Sequence, residues 1–200
     1  KPNGVAVDVR GLVDAALAMG EGMQPIDLLK IYPNIVYGRA CLYLNDGQIE
    51  KAYSLFSQLQ FLPYNAKVLQ PTIFWLGELS YKLGRIQESI QYLELFINDP
   101  VEQGEVGVKH AKYTLGYCYL KNNNYQKAMD YFSSSTVNNP NNAFENYQKD
   151  AFVRVADCQM MLKQYKQALN AYQQVIDWFR IKHNIDITIM PVFREKCGYD

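Results

Sequence analysis

Residues 115–132 read LGYCYLKNNNYQKAMDYF and contain two small residues, Gly116 and Ala128, that lie twelve positions apart. Between them stand the three asparagines of residues 122–124, which favour a turn. Apolar and aromatic side chains flank both small residues at spacings that suit a helix. Two helices can cross with their backbones close together only where side chains are small. We therefore predict two antiparallel helices that touch at Gly116 and Ala128.

The same spacing occurs four times along the chain. A small residue stands at position 8 of a 34-residue unit and another at position 20; the pairs are Ala40/Ala52, Gly77/Ser89, Gly116/Ala128 and Ala156/Ala168. The units begin at Pro33, Gln70, Lys109 and Lys149, which are 37, 39 and 40 residues apart. Four copies in register predict four helix pairs that stack into one continuous array.

The turn inside each unit falls at one fixed place, which is occupied by Gly47, Gly84, Asn123 and Lys163. Glycine and asparagine tolerate the left-handed backbone that commonly ends a helix, whereas lysine does not. We therefore predict regular turns in the first three units and a less regular turn at Lys163.

These features resemble the tetratricopeptide repeat (TPR) family over residues 33–182, three quarters of the chain. The family's large residue at position 24 is present in every unit, as Phe56, Leu93, Phe132 and Tyr172. The resemblance implies an all-α, right-handed α-solenoid whose first helices line a concave face, and it implies non-catalytic protein binding. The 37–40-residue spacing is also similar, more weakly, to bacterial envelope TPR proteins such as outer-membrane assembly lipoproteins and the Tol-Pal-associated coordinator. The compartment stays open between a bacterial periplasm or envelope and the cytoplasm.

The two ends of the chain depart from the repeat. Residues 1–32 are predicted to be a helical leading segment that packs against the first unit, as a separate piece or as a half-repeat. Its apolar side chains share one helical face; they are Val9, Leu12, Val13, Ala16 and Leu17. Residues 25–29 are predicted to begin a second, short helix. Residues 183–200 are predicted to be an irregular or extended tail, because isoleucines alternate with polar residues there.

Composition argues against several classes of partner and of chemistry. Twenty basic side chains balance twenty acidic ones, so no net field favours nucleic acid or an anionic membrane as partner. No apolar run is long enough for direct membrane insertion. The sequence holds no metal-ligand, nucleophile or phosphate-loop motif, and its two histidines, His110 and His183, lie far apart. We therefore predict no catalytic residue, no metal site and no cofactor, and a function that is not enzymatic.

The candidate binding surface is the concave face that the TPR resemblance implies. Positions 5, 9, 12 and 13 of the first helices would line it, and the candidate partner-binding residues are Tyr37, Phe74, Glu78, Tyr81, Lys82, Tyr113, Tyr117 and Lys121. Aromatic anchors with lysines at their edge suit an extended or helical peptide that carries apolar side chains and an acidic group. We expect Glu78 and Asp157 to be solvated groove charges, and His110 to be a partly exposed residue at the start of its helix.

Two alternatives to an open groove remain. The aromatic residues could be core that the ends of the array cover. The chain could also be a structural segment of a longer or self-associating TPR solenoid, such as a homo-oligomer, in a bacterial envelope complex. The clamp by which some TPR domains hold chaperone C-termini is excluded. Its lysine at position 5 and asparagine at position 9 are replaced here by Tyr37 and Cys41, then by Phe74 and Glu78.

Overall fold

The computed structural model describes residues 25–136 and 146–183. These residues form eight helices: α1 (Pro25–Asn45), α2 (Ile49–Leu59), α3 (Ala66–Lys82), α4 (Ile86–Asn98), α5 (Val108–Lys121), α6 (Tyr125–Ser135), α7 (Asn146–Met161) and α8 (Tyr165–His183). An isolated antiparallel bridge joins Gln103 to Val106 in the α4–α5 loop. No helix of this part of the chain is long and apolar enough to span a bilayer. Most of the predicted leading segment and nearly all of the predicted tail lie outside the described residues.

Consecutive helices form antiparallel pairs, and the pairs stack. The pairs are α1/α2, α3/α4, α5/α6 and α7/α8, and the second helix of each pair packs on the first helix of the next. The first helices also contact one another, from α1 to α3, from α3 to α5 and from α5 to α7. Each pair therefore contacts only its neighbours, which is the organisation of a solenoid. The predicted all-α solenoid of helix pairs is confirmed.

The beginning of the first repeat differs from the prediction. α1 begins at Pro25 and continues through Pro33, the predicted start of the repeat. The short helix predicted at residues 25–29 is therefore part of α1, and the predicted boundary between residues 32 and 33 falls inside a helix. An internal proline removes one helical hydrogen bond. Here the ring of Pro33 is fully buried, and that burial favours keeping it within the helix.

The helices approach closely at the small residues, as predicted. A β-carbon built on Gly77 would lie 2.5 Å from the side chain of Leu93, and one on Gly116 would lie 2.7 Å from the ring of Phe132. Carbon atoms in contact normally stay about 3.5 Å or more apart, so a larger residue at either glycine would displace the facing side chain, which is the position-24 residue of the same repeat. The other small residues are fully buried; they are Ala40, Ala52, Ser89, Ala128, Ala156 and Ala168.

The four turns inside the repeats are alike, so the prediction of a less regular turn at Lys163 is wrong. In the last turn the N–H groups of residues 162, 163 and 164 donate to the carbonyls of Cys158, Met160 and Gln159, and the other turns repeat this pattern. The turn residue has a positive φ each time: 72° at Gly47, 77° at Gly84, 57° at Asn123 and 61° at Lys163. The hydrogen bonds and the packing of α7 on α8 thus hold a lysine in a backbone conformation that costs about 1 kcal/mol.

Lys163→Gly is expected to raise the free energy of unfolding by about 0.5–1 kcal/mol, because glycine adopts this positive φ without steric cost. Urea denaturation followed by circular dichroism measures the change. Gly84→Lys is the matched control, since it places lysine in the equivalent turn and should lose a similar amount. A Lys163→Gly protein no more stable than the parent would show that this turn carries no strain.

Candidate functional site

Half-buried aromatic side chains of the first helices contact one another from repeat to repeat. We call them the aromatic strip; its members are Tyr37, Trp75, Tyr81, Tyr113 and Tyr117. Trp75 Nε1 donates a 3.2 Å hydrogen bond to the Tyr37 hydroxyl. The ring centroids of Tyr81 and Tyr117 are 6.2 Å apart, and Tyr113 meets Tyr117 edge to face at 5.2 Å. Such ring contacts are favourable in themselves, so the strip is held in place without a partner.

A cleft of about 350 Å³ opens between α1 and α3, beside the aromatic strip. It is lined by Cys41, Leu44, Asn45, Trp75, Lys82 and Glu105. The lining combines apolar surface with one amide and two opposite charges, so the cleft offers a ligand both apolar contacts and polar partners. Trp75 is missing from the predicted site residues because the family pattern does not assign position 6 to the groove.

Two predicted site residues, Phe74 and Glu78, belong to the interior. Phe74 has no exposed surface, and its ring packs edge to face on Trp75 and Phe96 at centroid distances of 5.1 and 5.3 Å. It cannot serve as a surface anchor for a partner. Glu78 is only 6% exposed. The expectation that Glu78 is a solvated groove charge is therefore wrong.

The buried Glu78 carboxylate pairs with His110, which is not among the predicted site residues. His110 Nε2 lies 3.7 Å from Glu78 Oε2, and His110 Nδ1 lies 3.0 Å from the Glu105 carbonyl oxygen. Glu78 Oε1 has no hydrogen-bond partner among the described residues. Burial raises the pKa of Glu78, and the neighbouring His110 and Thr114 only partly oppose the rise. His110 itself is partly exposed, as expected.

Glu78→Gln is expected to make stability less sensitive to pH. Because the pKa of Glu78 is raised on folding, its protonated form stabilises the fold at low pH, and that contribution is lost as the pH rises through the raised value. The amide does not titrate, so the variant should gain stability relative to the parent as the pH is raised from the ordinary carboxyl pKa of 4.5 into the alkaline range. Urea denaturation across this range measures the effect, with the exposed Glu50→Gln as control. Parallel curves for Glu78→Gln and the parent would contradict it.

The hydroxyls of Tyr113 and Tyr117 are tied to the next repeat by one carboxylate. Both donate to Asp150 Oδ2 on α7, Tyr113 at 2.9 Å. Arg154 Nη2 bonds Asp150 Oδ1 at 3.1 Å, and Arg154 Nη1 bonds Asp157 at 2.5 Å. Burial alone would raise the pKa of Asp150, but hydrogen bonds from Tyr117, Arg154 and Tyr113 hold it below its ordinary value. This network orients the two rings and is the physical reason that they stand together.

Asp150 and Arg154 are absent from the predicted site residues, although their spacing in the sequence carries a signal. The two residues are four positions apart on α7, and Asp157 follows three positions later. Opposite charges at these spacings meet on one helix face. The expectation that Asp157 is a solvated charge needs correction, because Asp157 also accepts a 2.5 Å hydrogen bond from the Tyr172 hydroxyl and is only partly exposed.

The lysines of the predicted site remain at its surface. Lys82 and Lys121 are exposed, and neither forms an ion pair within residues 25–136 and 146–183. Lys121 Nζ lies 4.5 Å from the centroid of the Tyr81 ring, a cation–π contact. Lys82 lines the cleft together with Glu105. In the described part of the chain no group of three His, Cys, Asp or Glu side chains is arranged to hold a metal ion.

Comparison with known proteins agrees with this repeat architecture. A family model described as anaphase-promoting complex, cyclosome, subunit 3 matches residues 107–175. The crystal structure of YrrB, described as a TPR protein with an unusual peptide-binding site, superposes with a TM-score of 0.58 at 18% identity, over 94% of this chain and 84% of YrrB. This chain has the TPR fold. A MamA fragment from Desulfovibrio magneticus RS-1 gives a TM-score of 0.57 at 15% identity, over 86% of this chain and 93% of the fragment.

One curated protein shares recognisable sequence with this chain. The transcription activator GutR of Bacillus subtilis (strain 168) is 28% identical over 104 residues. The match covers 52% of this chain and 12% of GutR, so the shared region is a small part of that protein. These comparisons confirm the TPR resemblance, and the relatives with known structures are similar to this chain in fold.

Proposed function

We propose that this TPR chain is a non-catalytic scaffold that binds a peptide, or an exposed segment of a partner protein, through the aromatic strip and the adjoining cleft. The observation that carries the proposal is the contact between partly exposed aromatic rings on three successive first helices, next to a cleft that Trp75 lines. Rigid aromatic side chains beside a pocket are the usual energetic centre of a protein interface. YrrB, which has the same fold, is described as having an unusual peptide-binding site, and this supports the proposal.

The ligand that fits this surface carries a large apolar side chain and an acidic group. The cleft offers the Trp75 indole and Leu44 as apolar walls. Lys82 lines the cleft and Lys121 lies over the Tyr81 ring. Both lysines are exposed and available to a carboxylate, whereas Asp150 is already occupied by its tyrosine and arginine partners. Glu105 also lines the cleft and would disfavour a carboxylate placed on its side. With zero net charge, the chain has no overall attraction for nucleic acid.

A structural role in a self-associating array is the second candidate, and one observation favours it. The last described helix, α8, leaves Leu169 61% exposed, and Met161 at the end of α7 is 56% exposed. Exposed apolar side chains at the end of a solenoid favour a further repeat or a second copy on that face. Light scattering at several concentrations separates the two candidates, since a monomer that binds peptide contradicts self-association. A bacterial envelope setting for either role stays a prediction.

Selection of peptides from a random display library on the full chain tests peptide binding. We expect enriched peptides to share an aromatic or large aliphatic residue with an acidic residue nearby. A synthetic version of an enriched peptide should shift the fluorescence emission of Trp75 when it binds. Trp75→Phe should abolish this shift, although Trp178 still fluoresces. Failure to enrich any peptide above a background selection without the protein would overturn the proposed function.

A further inference from the structure

The face of α1 that points away from the second repeat carries large apolar side chains that no described residue covers. Ile35 is 55% exposed and Leu42 is 64% exposed. Gly38 stands between them, and nothing lies within 4 Å of the place where its β-carbon would be. Together with Ile31 these residues follow the spacing of a single helical stripe. A stripe of this kind on a soluble helix indicates a surface that another element covers.

The other repeats show what covers the equivalent face. Ile35 and Leu42 occupy positions 3 and 10 of the first repeat, and their equivalents are all fully buried: Thr72 and Leu79, Ala111 and Cys118, Ala151 and Cys158. In each case the second helix of the preceding repeat packs on this first helix. Leu79 shares a core cluster with residues of α2, and Cys118 Sγ lies 3.3 Å from Ser89 Oγ on α4. Three times in this chain, therefore, a preceding second helix fills this face.

The sequence before α1 repeats the residues of such a helix in the right register. α2 contributes Ile49, Ala52 and Phe56 at positions 17, 20 and 24, and 37 residues earlier stand Leu12, Ala15 and Met19. The interval of 37 residues is the one that separates the first two repeats. Ala15 precedes Ile35 by 20 residues, and Ala52 precedes Thr72 by the same 20 residues.

We infer that residues 9–19 dock on Ile35 and Leu42 as the second helix of a partial repeat, which closes the apolar face of α1. Residues 20–24 then connect this helix to Pro25, and a link of five residues is of the length that joins antiparallel helices. Gly20 and Gly22 in the link permit the reversal of the chain. The surface that this docking closes is distinct from the cleft, so it leaves the proposed peptide site open.

Hydrogen exchange of the full chain, followed by mass spectrometry, tests the docking. A helix of eleven residues is marginal in water by itself, so its amides exchange slowly only when it packs on something. We expect the amides of residues 12–19 to exchange at least about tenfold more slowly than in a free peptide of the same sequence. Leu42→Asp should remove this protection and leave α3–α6 unchanged. Leu95→Asp is the matched control, since Leu95 on α4 is 52% exposed and lies on another face.

Three results would overturn the inference. They are fast exchange of residues 12–19 in the parent, slow exchange that survives Leu42→Asp, and protection that increases with protein concentration, which would identify a second copy as the occupant. Leu12→Asp addresses the same contact from the other side. It should abolish the protection even if Leu42→Asp unfolds α1, and unchanged protection in Leu12→Asp would equally contradict the docking.

Discussion

Gly116→Leu is expected to lower the free energy of unfolding by about 3 kcal/mol. A β-carbon at this position already lies 2.7 Å from the Phe132 ring, and the rest of a leucine side chain would extend into the same space. Phe132 cannot withdraw easily, because it is fully buried and packs edge to face on Tyr117 at 5.1 Å. α5 and α6 must therefore separate or Phe132 must leave its site. Urea denaturation monitored by circular dichroism measures the loss.

Gly38→Leu is the matched control for this substitution. Gly38 also lies inside a helix, but nothing stands within 4 Å of its β-carbon position. Position 6 holds Trp75, Thr114 and Arg154 in the other repeats, where a preceding second helix packs on the neighbouring face, so a side chain is accommodated at this place even when that face is covered. Leucine is a better helix former than glycine, and we expect Gly38→Leu to gain up to about 1 kcal/mol. Equal effects of the two substitutions, or no loss from Gly116→Leu, would remove the steric basis of the repeat assignment.

The architecture follows from the small residues because their requirement is steric and local. Wherever two helix backbones touch, the residues at the contact must be small, whatever the rest of the sequence is. The small pairs can therefore be recognised in the sequence although the length of the repeat changes. The turns are predictable for a similar reason, except at Lys163. There the hydrogen bonds of the turn outweigh the preference of the residue, a competition that the local sequence does not reveal.

The candidate site is predictable only in part, as Phe74 and Glu78 show. The position of a residue within the 34-residue unit predicts the direction in which its side chain points from the helix. That position does not predict how closely neighbouring segments cover the side chain. The α4–α5 loop is longer than a standard connection, and it brings the buried Val106 into the same core as Phe74. Its Glu105 carbonyl also contacts His110, which packs on Phe74 and pairs with Glu78. The extra loop residues therefore bury two positions that the frame assigns to the groove.

Tyr81→Ala is expected to weaken binding of a library-selected peptide about 30-fold, the effect of losing an anchor worth about 2 kcal/mol. Tyr81 is half-buried next to Tyr117, and Lys121 Nζ lies 4.5 Å from the centroid of the Tyr81 ring. Truncation removes both an apolar contact for the peptide and the ring that positions Lys121 toward an acidic group. Fluorescence anisotropy of the labelled peptide measures the affinity, and circular dichroism verifies that the array remains folded.

Tyr43→Ala is the control for Tyr81→Ala, because it shows whether a loss of affinity comes from losing a binding contact or from losing any partly buried tyrosine of the array. Tyr43 is also a partly buried tyrosine of a first helix, and Lys51 Nζ lies 5.5 Å from its ring centroid, but it belongs to neither the strip nor the cleft. The two substitutions therefore remove similar packing and a similar cation–π contact, so they should have similar costs in stability. Only Tyr81→Ala should lose affinity. If both variants bound the peptide as the parent does, the peptide would lie elsewhere; if both lost affinity equally, the loss would reflect damage to the array rather than contact with the strip.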